Sequence, residues 1–115
     1  MENRMVRVNE LLRRELSQLL HTHYQDMAVS ITITEVDVAP DLRSGQVYYS
    51  VLGDESNVHL AERFFGEHRS ELQQRASKFI TLKYFPQLRF IYDNSIERGN
   101  QVLRILDQLE EEGQL

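Results

Sequence analysis

The stretch Leu82 to Gly99 (LKYFPQLRFIYDNSIERG) constrains this chain most, because it compresses a helix end, a proline, a short strand and a new helix start into consecutive residues. Pro86 has no amide hydrogen and biases Phe85 away from the right-handed helical region, so a helical pattern arriving from upstream stops there. Leu88, Phe90 and Tyr92 alternate with Arg89 and Ile91. That gives one continuous apolar face and one mixed face, as in a sheet covered by helices on one side. The strand ends at Asp93. Asn94 is a good helix N-cap, and Glu97 three positions later fits a capping-box-like arrangement ahead of the periodic run Ile96, Val102, Ile105, Leu106 and Leu109. A final helix, Ser95 to Gly113, is expected.

Upstream, Val8, Leu12, Leu16, Leu19 and Leu20 recur at helical spacing from about Arg4 to His23. Ile31, Ile33 and Glu35 then alternate with Thr32, Thr34 and Val36, a β-branched run that extends as a strand to Val38. Turn residues fill Ala39 to Gly45, and Gln46 to Leu52 returns to β-rich composition, so the two runs should form an antiparallel hairpin with a long loop. Gly53 to Asn57 breaks the pattern. A helical reading resumes near Val58 and continues to about Lys83, with Leu60, Phe64, Phe65, Leu72, Ala76, Phe79 and Ile80 as its apolar stripe. The phase of that stripe drifts between Phe65 and Leu72, as in two helices joined by a kink, with Gly66 and Ser70 as weak points. One continuous helix is the simpler alternative. The resulting order is α, β, β, α, α, β, α: an α+β class, three strands with helices on one face, the third strand arriving after a helical crossover.

At 115 residues the chain suits a single domain, 1–115, with one core and no need of disulfides or metal. Cysteine is absent, which excludes thiolate zinc sites and cysteine nucleophiles and fits a reducing cytoplasm. No run approaches the length of a membrane span or signal core, so a cytoplasmic protein with no membrane partner is expected. His21, His23, His59 and His68 are spaced wrongly for a metal site, and none is expected. Asp37, Asp41 and Asp93 read as strand, turn and helix-start residues rather than paired catalytic carboxylates. With no Ser-His-Asp pattern and no phosphate-cradling glycine motif, neither an enzyme, a cofactor nor a small-molecule substrate is indicated.

Three motifs, Val36-Asp37-Val38-Ala39-Pro40-Asp41-Leu42, Val47-Tyr48-Tyr49-Ser50-Val51-Leu52-Gly53-Asp54 and the Pro86 region, follow an Arg7-Val8-Asn9-Glu10-Leu11 opening. In this order and spacing they resemble ribosome-binding factor A, a bacterial assembly factor of the small ribosomal subunit, over nearly the whole chain. The resemblance implies a type II KH-like domain, monomeric and without catalytic activity. It implies binding to the immature small (30S) subunit and its 16S rRNA in late maturation and processing, near the decoding region. The family carries Ala-x-Gly at an interhelical kink where ordinary KH domains have GxxG. Counting back from Pro86 without a gap places His68, Arg69 and Ser70 there; anchoring on Gly66 keeps the glycine but needs an inserted helical turn.

The net charge of −5 is unusual for an RNA-binding domain, yet acid and base are partly segregated. Glu110, Glu111 and Glu112 cluster near the C-terminus, whereas Arg4, Arg7 and Arg14 lie in the first helix and Arg69, Arg75, Lys78 and Lys83 in the end of the central helical region. Screening confines phosphate attraction to about 10 Å, so a local basic face can act on an acidic protein. These seven residues are the expected RNA contacts. Phe79, Tyr84 and Phe85 have the chemistry to stack on bases, although aromatics at a helix end more often complete the core. A different class, a protein-interaction module whose acidic C-terminal helix binds a basic partner, would account for the net charge.

Overall fold

The computed structural model describes residues 4–94 as helix α1 (Arg4–His23), strands β1 (Ile31–Val38) and β2 (Ser44–Val51), helix α2 (Glu55–Ser77) and strand β3 (Gln87–Tyr92). The expected C-terminal helix and its acidic cluster lie outside the described residues.

α1 spans the residues its periodicity marks out. Leu12, Leu16 and Leu20 are at most 1% exposed, and withdrawing each from water stabilises the fold by about 2 kcal/mol. The strands form one sheet in the order β1-β2-β3, with β1 antiparallel and β3 parallel to β2. A parallel neighbour requires a long crossover, which α2 supplies. Ile31, Ile33, Val36, Val38, Val47, Tyr49 and Leu88 turn one sheet face toward both described helices. Each outer strand meets a helix amide at its free edge. Asn9 Oδ1 accepts the Val38 N–H at 2.9 Å, and Gln73 Oε1 accepts the Leu88 N–H at 3.0 Å. These bonds occupy edge donors that would otherwise template strand pairing.

β1 departs from simple alternation. Ile33 pairs with Tyr49 but Glu35 with Tyr48, which leaves Thr34 as the extra residue of a β-bulge. The buried face therefore switches from Ile31 and Ile33 to Val36 and Val38, while Thr34 and Glu35 are both exposed. Glu35 does not continue the Ile31–Ile33 face as alternation predicts.

α2 also corrects the sequence reading. It begins at Glu55 because Asp54 is its N-cap, with Asp54 Oδ1 accepting from the Ser56 N–H at 3.1 Å and the Asn57 N–H at 3.3 Å. The helix then runs unbroken to Ser77, so the expected pair of helices meeting at His68, Arg69 and Ser70 is a single element. Phe65 and Leu72 are seven residues apart and so differ by only about 20° around a helix. Both are buried, with Ala61 and Ala76 one turn away on either side. No residue of α2 has positive φ. The last turn tightens, with the Lys78 N–H bonded to Arg75 O and the Phe79 N–H to Ala76 O. Lys78 and Lys83, expected within the helix, therefore lie in the loop that follows. Ile80, Leu82 and Phe85 of this loop pack on the core and Pro86 is fully buried, so the segment is held by side-chain burial. Phe65 joins the layers, its ring centroid 4.4 Å from Phe90 and 4.5 Å from Tyr49.

Candidate nucleic-acid interface

The structure places the seven expected contacts in three settings. Arg4, Arg7 and Arg14 are exposed along α1. At about 100° per residue, Arg7 and Arg14 fall within about 20° of each other on the side of the helix away from Leu12 and Leu16. His21, seven residues beyond Arg14 and also exposed, prolongs this stripe. Glu10 tempers it: its carboxylate lies 3.3 Å from Arg14 Nε and 2.5 Å from Arg13 Nη2. The Arg13 hydrogen bond holds the Glu10 carboxyl below its ordinary range.

On α2 the expected cations do not share a face. Arg69 and Arg75 are about 120° apart around the helix axis. Arg69 is exposed, whereas Arg75 is half-buried with Nε 3.4 Å from Glu71 Oε1. Glu71 also accepts the Tyr24 hydroxyl and lies 3.7 Å from His23 Nε2. Hydrogen bonding from Tyr24, then from Arg75, lowers the Glu71 pKa. Burial, with Glu71 adding to it, pushes the Tyr24 phenol up to about 12. Arg75 is thus part of a clasp between the end of α1 and the middle of α2, its charge compensated within the protein. His68 belongs to the same neighbourhood: its ring stacks on Phe64 with centroids 4.7 Å apart, and its Nδ1 lies 3.0 Å from Phe64 O. A carbonyl only accepts, so Nδ1 carries the hydrogen in this bond.

The loop after α2 forms the third setting. Lys78 and Lys83 are exposed, and Lys83 Nζ is 5.5 Å from the Tyr84 ring centroid. The guanidinium carbon of Arg43, from the β1–β2 loop, lies 4.8 Å from the same centroid. Of the three aromatics in this region Phe85 completes the core, while Tyr84 stays 43% exposed and Phe79 68% exposed. Arg43 and Glu71 were not among the residues expected to matter. Arg43 reads as a turn residue, and the Glu71 partner Tyr24 is remote in sequence, so no local spacing reveals either.

A shallow cleft of about 400 Å³, lined by residues including Asp37, Pro40, Gln46 and Arg89, opens beside the hairpin. Among the described residues no three His, Cys, Asp or Glu side chains converge to hold a metal ion. No helix in that range is long and apolar enough to cross a membrane.

The described residues form an α+β fold that presents exposed arginines along α1 and, separately, a cation–aromatic cluster around Tyr84. The family model for ribosome-binding factor A matches residues 4–106. The ribosome-binding factor A of Opitutus terrae is 41% identical over 110 residues, covering 96% of this chain and 90% of that protein. That of Nitrosomonas europaea is 35% identical over 107 residues and covers 92% of each. The chain belongs to the ribosome-binding factor A family. The fold agrees: the crystal structure of ribosome-binding factor A from Thermus thermophilus superposes with a TM-score of 0.68 at 17% identity, over 78% of this chain and 97% of that one. A Thermus thermophilus homology model fitted into a cryo-EM map of a complex with 30S gives a TM-score of 0.61, also at 17% identity, over 75% of this chain and 91% of that one.

Proposed function

We propose that this chain is a single-domain, type II KH-like assembly factor that binds the immature 30S subunit as a monomer in the cytoplasm and assists late maturation and processing of 16S rRNA. Family membership supports the reading, as does the 30S complex into which the Thermus thermophilus homology model was fitted. The observation from this chain that carries it is the outward stripe of Arg4, Arg7 and Arg14, three exposed arginines on a helix whose other side is buried. Arginines on a rigid helix can grip phosphates in a fixed register. Such a factor acts by binding one RNA arrangement more tightly than another, and no bond need break. Arg69, Lys78 and Lys83 are available for further phosphate contacts. Arg75 contributes by holding α1 to α2.

Sedimentation of the purified full-length chain with small subunits across a salt series tests this. Co-sedimentation at low salt that weakens steeply as salt rises, and that Arg7→Gln with Arg14→Gln reduces, is the expected result. Salt-insensitive association that instead responds to Glu110, Glu111 and Glu112 would favour the acidic C-terminal segment and a basic protein partner. No association at any salt refutes the proposal.

A further inference from the structure

A second basic group on the described surface lies off the α1 stripe. Leu42 adopts positive φ, 62°, which a branched side chain rarely does, and it is 9% exposed. The next residue, Arg43, is exposed, and two hydrogen bonds hold its backbone in place. Asp41 Oδ1 accepts the Arg43 N–H at 3.0 Å, and Arg43 O accepts the Gln87 N–H at 3.0 Å. The second bond ties the hairpin loop to the start of β3, next to the segment that carries Lys83 and Tyr84. The Arg43 guanidinium consequently rests 4.8 Å from the Tyr84 ring centroid, with Lys83 Nζ at 5.5 Å. The residue with positive φ, Leu42, thus lies directly beside the cluster, and such backbone conformations concentrate at binding sites.

We propose that Arg43, Tyr84 and Lys83 form a contact for single-stranded RNA, in which the two cations bind successive phosphates and Tyr84 stacks on one unpaired base. The chemistry selects this occupant. A base has a π-face for the ring, the phosphates on either side of it are anionic, and a base already stacked inside a duplex is unavailable to Tyr84. The proposal rests on the RNA-binding reading above and adds to it a strand class and a second surface, separate from the α1 stripe.

Two measurements on the full chain test it: fluorescence anisotropy with a short labelled single-stranded RNA and with a duplex of the same length, and sedimentation with small subunits. The single strand is expected to bind more tightly than the duplex. Tyr84→Leu should weaken single-strand binding about fivefold to a hundredfold, while Tyr84→Phe, which keeps the ring, stays near wild type. Arg43→Gln with Lys83→Gln should lower the slope of log affinity against log salt by about 1.4, two phosphate contacts' worth. Circular dichroism melts identify any variant that has lost its fold, and the Tyr84→Phe comparison stands independently of that. If the wild type sediments with small subunits but these variants bind RNA as it does, the contact is refuted and the assembly-factor reading stands. Equal affinity for duplex and single strand with no loss in Tyr84→Leu refutes it as well. If the wild type binds neither small subunits nor RNA, both readings fall.

Discussion

Replacing Gly66 with alanine distinguishes a continuous α2 from a helix built to break. Gly66 lies within α2, is exposed, and has no positive φ; a Cβ built there meets nothing within 4 Å. The substitution therefore adds no clash and removes only the conformational freedom that glycine brings to the unfolded chain. In an exposed helix interior that difference favours alanine by about 0.5 to 1 kcal/mol. For a chain of this size the melting temperature should rise by about 2 to 4 °C. Thermal melts followed by circular dichroism, with urea unfolding to show that the m-value is unchanged, measure the effect. A melting temperature lowered by a similar amount would refute the continuous-helix account and restore a junction at this glycine. Small-subunit binding, measured alongside, should be unaltered.

Gly53 should behave oppositely: its φ is 120° and an added Cβ would press on the Asn57 amide, so Gly53→Ala is expected to destabilise by about 1 kcal/mol or more in the same melts. Leu72 is fully buried on the core side of α2, and Leu72→Ala should cost about 3 kcal/mol in urea unfolding, the lost transfer free energy plus a smaller cavity penalty. Tyr24 and Tyr49 both have phenols pushed up to about 12, chiefly by burial. An unfolded tyrosine ionises near pH 10, so stability should hold below about pH 10 and fall as pH rises toward 12. Tyr24→Phe and Tyr49→Phe should each flatten that decline in alkaline denaturation curves. The lowered Glu71 pKa acts at the other end: its contribution is present above the ordinary glutamate range and is lost as pH falls through the shifted value. Acid unfolding of Glu71→Gln should accordingly begin from a lower baseline and show a shallower dependence on pH.

Elements with a single strong period were legible in the sequence. The five buried positions of α1 follow one helical stripe, and Pro86 with Leu88 placed β3 to within a residue. The bulge was not legible, because Ile31 to Thr34 alternates cleanly and Glu35 then reads equally well as a polar residue on either face. Only pairing with Tyr48 and Tyr49 shows which residue is extra. The start of α2 was not legible: Gly53 to Asn57 read as a break, and only the bonds from the Ser56 and Asn57 amides to the Asp54 carboxylate mark Asp54 as the cap of a helix that begins at Glu55. The end of α2 was set by Ile80, Leu82 and Phe85 reaching the core from an irregular segment, a tertiary demand without local signature. Arg4, Arg7 and Arg14 were expected on the first helix, and the structure leaves all three exposed there. The Tyr24–Glu71–Arg75 clasp and the Arg43–Tyr84 contact each join residues distant in the chain, so sequence periodicity had no means of pairing them.

The parallel placement of β3 against β2 sets an order of events during synthesis. α1, β1 and β2 emerge first and can pair as a hairpin under a helix, yet Val47 and Tyr49 wait for α2 and β3 before their surroundings are complete. Long-range parallel pairing forms late because the intervening chain must first be ordered. Arg43 is made early and Tyr84 late, and the bond from the Gln87 amide that draws them together belongs to the last pairing step. A partly made chain consequently lacks this cluster. Only a molecule in which β3 has paired with β2 presents it, so the Arg43–Tyr84 contact reports completion of the described sheet.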